Sequence, residues 1–183
     1  MKIYVFISFL AGSLLGNAQS FSPLWMKDNN ITVNDDRARD NAIDSSGVYI
    51  VGNDYQPSSN QWRIEKRNLY NGKLIWVQTV NPSFGNDYPQ DIVVFKSALY
   101  ISGYENVSST DYQWRLEKRD PTTGALIWVR KSNPSLGGDV GFGLCANDSG
   151  VFMVGADYSP GKNEWRMERR DLQNGNLIWA KTT

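Results

Sequence analysis

The chain contains no histidine among its 183 residues, and cysteine occurs only once, at position 145. The absence of histidine removes the usual general base and the commonest metal ligand of proteins. A single cysteine excludes a disulfide within the chain, and the apolar neighbours Phe142 and Leu144 predict a buried, unreactive Cys145 side chain. The composition therefore argues against histidine-dependent catalysis, and it indicates no cofactor.

The chain also lacks an excess of charge of either sign, because 19 Lys and Arg residues balance 19 Asp and Glu residues. Such a balance gives no electrostatic basis for binding nucleic acid or anionic lipid. No segment reaches the run of about 20 apolar residues that crosses a bilayer as a helix. We therefore expect no nucleic-acid partner and no membrane span.

The N-terminus has the order of a signal peptide. Lys2 precedes an apolar stretch from Ile3 to Leu15, and the small residues Gly16 and Ala18 follow. This three-part order is typical of an export signal. A buried strand or helix is the alternative, but a polar, Asn-rich segment follows at once. We predict a signal peptide over residues 1–18 and a secreted, periplasmic or cell-envelope domain over residues 19–183.

An internal repeat covers most of that domain, and three series of residues share its spacing of 51 or 52. The first series is a tryptophan after two apolar residues, found at Trp25, Trp76, Trp128 and Trp179. The second is a tryptophan in a polar context, found at Trp62, Trp114 and Trp165. The third is a glycine after an apolar segment, found at Gly52, Gly103 and Gly155. We predict three units, over residues 26–76, 77–128 and 129–179.

Each unit predicts four short antiparallel strands. In the first unit, GVYIVG and QWRIEKR alternate in side-chain character as half-buried strands do. An Asn-Gly turn then leads into KLIWVQTV, which predicts a hairpin. Shorter apolar stretches such as DIVVF supply the remaining strand. Repeated four-stranded units of this kind match the blades of an all-β propeller, and a solenoid of stacked hairpins is the alternative.

The segments RNLYNGKLIW, RDPTTGALIW and RDLQNGNLIW resemble the tryptophan-docking motif of quinoprotein-like propellers. DSSGVYIVG and NDSGVFMVG resemble strands of bacterial seven-bladed propeller repeats. The resemblance implies that Trp76, Trp128 and Trp179 lock each blade to the next, and we give the second tryptophan series a similar structural role. Asn68 stands where the other units have Asp, which leaves the turn of the first unit in question. The motif segments identify no quinone-binding or calcium-binding residues, so we infer no dehydrogenase activity.

The order of the predicted strands does not close a ring. The predicted domain opens on Pro-Leu-Trp and ends on Leu-Ile-Trp, and both segments read as the last strand of a blade. This predicts three blades plus one orphan N-terminal strand, which is a partial or open propeller. Either further C-terminal blades or association with another chain would complete it.

Three repeated polar features are candidate surfaces. Arg-x-Glu-x-Arg triplets begin at Arg63, Arg115 and Arg166; they predict either a ligand-binding face or an interblade ladder, and their repetition favours the ladder. Acidic residues before the shorter strands suggest either calcium ligands or loop turns, and the absence of EF-hand spacing favours turns. Polar, aromatic loops after the glycine series predict a binding edge for a protein or glycan, with ordinary turn chemistry as the alternative. Their candidate residues are Asp54, Tyr55, Tyr104, Glu105, Asp157 and Tyr158.

The sequence thus predicts a secreted, non-catalytic β-propeller that serves as a binding or scaffold module for an unknown ligand. An enzyme is the alternative, either a fragment of a quinoprotein-like oxidoreductase or a hydrolase that uses carboxylates at the ring centre.

Overall fold

The computed structural model describes residues 25–27, 32, 34–56, 58–159 and 161–183. All regular structure in this part of the chain is β-strand, arranged as three four-stranded sheets. No helix within the described ranges has the length and apolar character needed to cross a membrane. The predicted signal peptide lies outside the described residues, as does most of the predicted orphan strand.

Each sheet is one blade. Blade 1 contains β1 (Arg37–Asp44), β2 (Gly47–Gln56), β3 (Ser59–Arg67) and β4 (Leu74–Val80). Blade 2 contains β5 (Tyr88–Phe95), β6 (Ala98–Asn106), β7 (Tyr112–Arg119) and β8 (Leu126–Ser132). Blade 3 contains β9 (Val140–Asn147), β10 (Gly150–Ser159), β11 (Lys162–Arg170) and β12 (Leu177–Thr182). The predicted unit boundaries after Trp76 and Trp128 fall inside β4 and β8.

Within every blade the antiparallel strands lie side by side in sequence order. The first strands β1, β5 and β9 contact one another in turn, so they form the inner edge around which the blades are arranged. This arrangement confirms the all-β propeller prediction. The three described sheets do not close into a ring, because no contact between blade 1 and blade 3 corresponds to those between successive blades.

The hydrophobic core lies between blades rather than within one. Trp62 and Ile64 of blade 1 pack with Leu99 and Ile101 of blade 2, and all four are fully buried. The second interface repeats this arrangement with aromatic residues of blade 2 and aliphatic residues of blade 3. The alternation predicted for QWRIEKR therefore sends Trp62 and Ile64 towards the following blade.

The corresponding face of blade 3 has no described blade against it. Trp165 is 83% exposed there, and Met167 is also exposed. Cys145 is exposed as well, so the prediction that it is buried is wrong. The equivalent residue in blade 2, Val93, packs into the interface with blade 3. Apolar neighbours in sequence therefore lead to burial only where another sheet covers the face.

The repeated glycines do not end their strands, contrary to the sequence-based expectation. The inner strand β1 has a register shift between Ala38 and Asp40 and approaches Gly52 closely. A Cβ atom on Gly52 would lie 2.2 Å from the Arg37 carbonyl oxygen, so only glycine fits there. β2 then continues as far as Gln56. The predicted binding loops after these glycines are consequently strand residues.

Candidate functional site

The two edges of the blades differ in the charges of the loops that join their strands, although Asp35 and Arg37 before and at the start of β1 and Lys162 at the start of β11 are exposed charges on the first edge. We call one edge the uncharged rim; it consists of the loops that join β2–β3, β4–β5, β6–β7, β8–β9 and β10–β11. Those loops contain no Lys, Arg or Glu, and their three aspartates are buried: Asp87, Asp111 and Asp139. The opposite edge, the charged rim, consists of the remaining turns between strands. It carries Lys73, Lys96, Asp120, Asp148 and Asp171.

A buried aspartate clamps each of two loops on the uncharged rim. In the β4–β5 loop, the Ser83 hydroxyl donates to Asp87 Oδ1 at 2.6 Å and the Ser83 N–H donates to Oδ2 at 3.1 Å. The N–H of Asn106 donates to Asp87 Oδ1 at 2.9 Å, which ties the loop to blade 2. Burial raises the pKa of Asp87 despite these hydrogen bonds. Asp87 therefore serves as a loop turn residue.

The β8–β9 loop repeats this clamp. Ser135 donates its hydroxyl and its N–H to the two carboxylate oxygens of Asp139, at 2.8 and 3.1 Å, and Tyr158 N–H donates at 2.8 Å. Among the described residues, no group of three or more His, Cys, Asp or Glu could hold a metal ion. The acidic residues thus organise the loops by hydrogen bonding.

Each clamped loop presents one apolar side chain to solvent. Phe84 is 106% exposed and Leu136 is 93% exposed, and they occupy equivalent positions of Asn-Pro-Ser-x-Gly segments. A single exposed apolar residue is ordinary on a protein surface. Two at the same position of neighbouring, equally clamped loops are a repeated surface feature. Sequence reasoning missed both, although the repeated segment was a signal that could have revealed them.

Tyrosines of blade 2 form a cluster beneath the same rim. The rings of Tyr88 and Tyr104 have centroids 5.3 Å apart, and those of Tyr104 and Tyr112 are 5.4 Å apart with an edge-on geometry. The Arg39 guanidinium lies over Tyr88 at 5.2 Å, and Asn60 donates to the Tyr88 hydroxyl at 3.0 Å. Burial, followed by the proximity of Tyr88, raises the pKa of Tyr104.

This cluster breaks the repeat. Tyr88 and Tyr104 face each other across β5 and β6, where blade 1 has Arg37 and Asn53 and blade 3 has Val140 and Ala156. Tyr112 similarly takes a position that is asparagine in the other two blades. A requirement of the blade fold would apply to all three blades. The tyrosine cluster therefore reflects something specific to this part of the rim.

The structure brings only one predicted binding residue, Tyr104, into the cluster. Asp54, Glu105 and Asp157 are buried, so the expectation that they form an exposed binding edge is wrong. Their carboxylates pair with arginines on the adjacent strand, because that strand continues beside them after the glycine. Tyr55 lies half-buried one residue before the end of β2, and Tyr158 lies against Gly137 one residue before the end of β10.

The Arg-x-Glu-x-Arg triplets form buried ladders along the third strand of each blade. In blade 2, Arg115 contacts Glu117 at 2.5 Å and Glu105 at 2.6 Å, and Arg119 contacts Glu117 at 2.6 Å. Arg119 also donates to the Gly124 carbonyl at 2.8 Å. These ion pairs lie within a blade, so the predicted interblade salt bridges are wrong. The predicted interblade hydrogen bonds are present between blades 2 and 3, where Ser132 donates to Glu168 at 2.6 Å and accepts from Arg170 at 3.1 Å. The Arg115 guanidinium meets the neighbouring blade by stacking over the Trp62 ring, with its Cζ atom 5.6 Å from the ring centroid.

Tryptophan indoles donate hydrogen bonds from one blade to the next. Trp76 Nε1 donates to the Pro121 carbonyl of the next blade at 3.3 Å, and its ring lies against Gly124. Trp25 makes the same contact with blade 1, donating to the Leu69 carbonyl at 2.9 Å beside Gly72.

The other tryptophans extend this pattern. Trp62 and Trp114 donate to the carbonyls of Tyr104 and Ala156 in the following blade, at 3.4 and 3.0 Å. Trp128 packs against Gly175, whereas Trp165 and Trp179 have no following blade among the described residues.

Asn68 organises its turn as the aspartates of the other blades do. Its side-chain oxygen accepts from the N–H groups of Tyr70 and Asn71, at 2.9 and 3.1 Å. Asp120 accepts from Thr122 and Thr123 in the same way. The departure at position 68 therefore leaves the turn intact, because an amide oxygen accepts these bonds as a carboxylate does.

Two aspartates lie on the inner strands, near the centre of the blade array. Asp40 accepts from the Ile92 N–H at 3.0 Å, and Asp91 accepts from the Leu144 N–H at 2.6 Å, so each bonds to the inner strand of the following blade. Burial and the neighbouring Asp40 carboxyl raise the pKa of Asp91 to about 6. Blade 3 has Gly143 at the equivalent position.

Comparison with solved structures identifies the fold. The structure of BamB from Moraxella catarrhalis superimposes with a TM-score of 0.52 at 14% sequence identity, covering 86% of this chain and 39% of that one. The chain has the β-propeller fold. It spans about two-fifths of the BamB chain, and a likeness at this identity shows the fold alone. No protein-family model and no curated protein matches the sequence.

Proposed function

We propose that this chain is a non-catalytic binding module whose uncharged rim receives a protein partner. The observation that carries the proposal is the complete exposure of Phe84 and Leu136 on two rigidly clamped loops. The tyrosine cluster connects these loops, because Tyr88 directly follows the first and Tyr112 pairs with Gly138 of the second. The half-buried tyrosines thus lie between the two clamped loops, at positions where the other blades have different residues.

The chemistry of this surface favours a protein over other partners. Loops rich in Ser, Asn and Gly around tyrosine anchors are typical of antibody paratopes, and depletion of charge is typical of the centres of protein interfaces. Phe84 and Leu136 protrude, so they fit apolar pockets on a partner. Nucleic acid requires cations that these loops lack. A glycan that stacks on the tyrosines would leave Phe84 and Leu136 without a role.

The predicted signal peptide adds a location to this proposal. Export through residues 1–18 would place the rim in the periplasm, at the cell envelope or outside the cell, where the partner would also be found. The β-propeller fold is compatible with this scaffold role and by itself implies no reaction. The binding role of Tyr55 and Tyr158 at the strand ends stays a prediction.

Site-specific photocrosslinking tests the proposal. A photoreactive phenylalanine at position 84 or 136 is incubated with envelope extract of the producing organism, and crosslinked proteins are identified by mass spectrometry. We expect one protein to be captured from both positions. Its purified form should bind the Phe84→Ala and Leu136→Ala variants roughly 30-fold more weakly each, the effect of losing an interface anchor of about 2 kcal/mol.

Tyr70 supplies the matched control, since it is an exposed aromatic residue on the charged rim. The photoreactive residue at position 70 should not capture that protein, and Tyr70→Ala should bind it normally. Equal capture from all three positions would contradict the proposal. Glycan-array binding that depends on Tyr88 and Tyr112 but not on Phe84 would replace the protein partner with a glycan.

A carboxylate-dependent hydrolase is the second candidate, because the raised pKa of Asp91 suits a general acid. Both inner aspartates already accept backbone N–H groups of the following blade, which favours a structural role. Hydrolysis of p-nitrophenyl glycosides or esters that is lost in Asp91→Asn would support the enzyme. Turnover of an alcohol or sugar with a quinone would instead support an oxidoreductase.

A further inference from the structure

The outermost strand of blade 1 has a neighbour on one side only. In the order β1-β2-β3-β4, β4 is the last strand of its sheet, and no described strand continues the sheet beyond it. An edge strand leaves a row of backbone N–H and C=O groups that can pair with another chain, and proteins usually protect such edges with charged side chains, proline or bulges. The outer strands β4, β8 and β12 differ in this protection.

The edge of β4 lacks the charges that the other two outer strands carry. Its sequence is LIWVQTV, whereas β8 contains Arg130 and Lys131 and β12 contains Lys181. β4 also has no proline, and its pairing with β3 is regular after the register shift at its start. The outer edge of blade 1 is therefore the one most open to pairing with a further strand.

The register identifies the backbone groups that point outward. At the end of blade 3, the backbones of Trp165 and Thr183 exchange two hydrogen bonds, at 3.1 and 3.0 Å. Val80 has the position of Thr183 in blade 1, where it pairs with Trp62. Residues of an antiparallel strand bond alternately to the neighbours on its two sides, so every second residue before Val80 points away from β3. These residues are Ile75, Val77 and Thr79.

The side chains at these three positions suit a paired strand. Ile75 is 49% exposed and Val77 is 37% exposed, and Thr79 is exposed as well. All three are β-branched, which favours a pleated sheet. In β8 the position of Thr79 is taken by Lys131, which pairs with Glu105 of its own blade. Blade 1 instead leaves an uncharged row of strand-forming residues in solvent.

We propose that β4 pairs antiparallel with β4 of a second copy of this chain, with the two-fold axis beside Val77. This register sets Val77 opposite the same residue of the other copy and Ile75 opposite Thr79, so all three outward residues are used. A two-fold contact places the same surface on both sides, and a segment without charge does not repel itself. The nearest charged residue, Lys73, would lie opposite Asn81.

The second copy is the occupant that this edge fits by its own symmetry. A strand of another protein can also add to an exposed edge, but only pairing between copies brings position 77 of two identical chains together. The contact lies at the perimeter of the propeller. It depends neither on the number of blades nor on the uncharged rim as a binding surface.

Cysteine substitutions in a Cys145→Ala background test the register directly. Val77→Cys should form a disulfide between two copies on oxidation, because hydrogen-bonded antiparallel residues have Cα atoms about 5.5 Å apart. Ile75→Cys is the matched control, since its two copies would lie four residues or about 14 Å apart along the strands. It should not cross-link with itself. Mixing Ile75→Cys with Thr79→Cys should restore the cross-link.

The unmodified chain supplies a second measurement. Sedimentation velocity should show a concentration-dependent dimer, and hydrogen exchange of the Ile75, Val77 and Thr79 amides should be at least roughly tenfold slower in the dimer than in the monomer. Val77→Lys should weaken dimerisation roughly tenfold, because it sets two like charges opposite each other. Ile127→Lys, at a 53% exposed position of β8, should leave dimerisation unchanged.

Several outcomes would overturn the proposal. A chain that stays monomeric at its highest soluble concentration has no such contact. A dimer that tolerates Val77→Lys, or that cross-links equally through positions 75 and 77, is held together elsewhere or in another register. Protection of the three amides only after another protein is added would replace the second copy with a strand of that protein.

Discussion

The two rims of this propeller are built from the same repeat, yet they use their polar groups in opposite ways. On the charged rim, the turn carbonyl of Pro121 accepts from Trp76 at 3.3 Å and from Lys66 Nζ at 3.1 Å, so the turn joins blade 1 to blade 2. Hydrogen bonds from the Thr123 and Thr122 N–H groups lower the pKa of Asp120 on this rim. Its charged side chains lie at the surface, and its carbonyls hold the fold together.

The uncharged rim reverses this arrangement. Its aspartates are buried as loop clamps, and burial raises the pKa of Asp87. Its apolar side chains Phe84 and Leu136 are exposed instead of the charges. Both rims carry contacts between blades, such as Trp76 with Pro121 on the charged rim and Asn60 with Tyr88 on the uncharged rim, but the uncharged rim also exposes Phe84 and Leu136 on its clamped loops. Stability should therefore depend strongly on the charged rim and its ladders, and partner binding on the uncharged rim.

The largest expected loss of stability comes from breaking the buried Arg-x-Glu-x-Arg ladder of blade 2, which runs from one rim to the other. Arg115→Ala leaves the buried carboxylates of Glu105 and Glu117 short of a counter-ion and removes the stacking on Trp62. We expect the free energy of unfolding to fall by about 3 to 5 kcal/mol in urea titrations.

Arg37→Ala is the control for this prediction. It breaks an exposed pair with Asp35 at 3.3 Å, and we expect it to cost less than about 1 kcal/mol. If Arg115→Ala were as mild as Arg37→Ala, the ladder would not be a stabilising element, and a ligand-binding role for its arginines would regain support.

An intermediate loss of stability is expected when a glycine with positive φ is replaced by alanine, and its size should differ between the two rims. Gly124 on the charged rim has φ of 74°, and an added Cβ would lie 2.9 Å from the Trp76 ring. Gly161 on the uncharged rim has φ of 99° and no atom within 4 Å of that position. We expect Gly124→Ala to cost about 2 kcal/mol, since it adds a clash to the backbone strain, and Gly161→Ala about 1 kcal/mol.

Urea titrations of the two variants, repeated in a Trp76→Ala background, provide the measurement. Removing the indole should lower the cost of Gly124→Ala towards that of Gly161→Ala, with the contact to Gln78 Cγ at 2.7 Å left in place. If Gly124→Ala costs the same free energy of unfolding in the Trp76→Ala background as in the unchanged chain, the contact with the tryptophan ring adds nothing to the backbone strain.

The sequence predicted the blade well because the evidence for it is local. Alternation in QWRIEKR, the Asn-Gly turn and the recurring tryptophans each follow from the residues of one strand or hairpin, and the strands lie where these patterns place them. Errors arose where a distant segment decides the outcome. Gly52 reads as the end of a strand until the bulge of β1 is seen against it. Cys145 reads as buried until the open face of blade 3 is known.

The candidate site was harder to predict for the same reason. Asp54 and Glu105 read as exposed loop residues, but the neighbouring strand continues beside them and supplies an arginine to each. Tyr104 was found because it follows the repeated glycine. Tyr88 and Tyr112 come from other strands and join it only through the sheet register and the packing of side chains. A cluster assembled from three strands leaves no motif in the sequence.

The smallest expected effect is on the uncharged rim, and it is the most informative about function. Phe84→Ser combined with Leu136→Ser should change the free energy of unfolding by less than about 0.5 kcal/mol, because both side chains are already in solvent. Ser83→Ala is the contrasting variant in the same loop, since it removes the hydroxyl that donates to buried Asp87 at 2.6 Å. It should cost about 1 to 2 kcal/mol. If the double serine variant lost as much stability as Ser83→Ala, Phe84 and Leu136 would be part of the fold, and the rim would have no surplus groups for a partner to recognise.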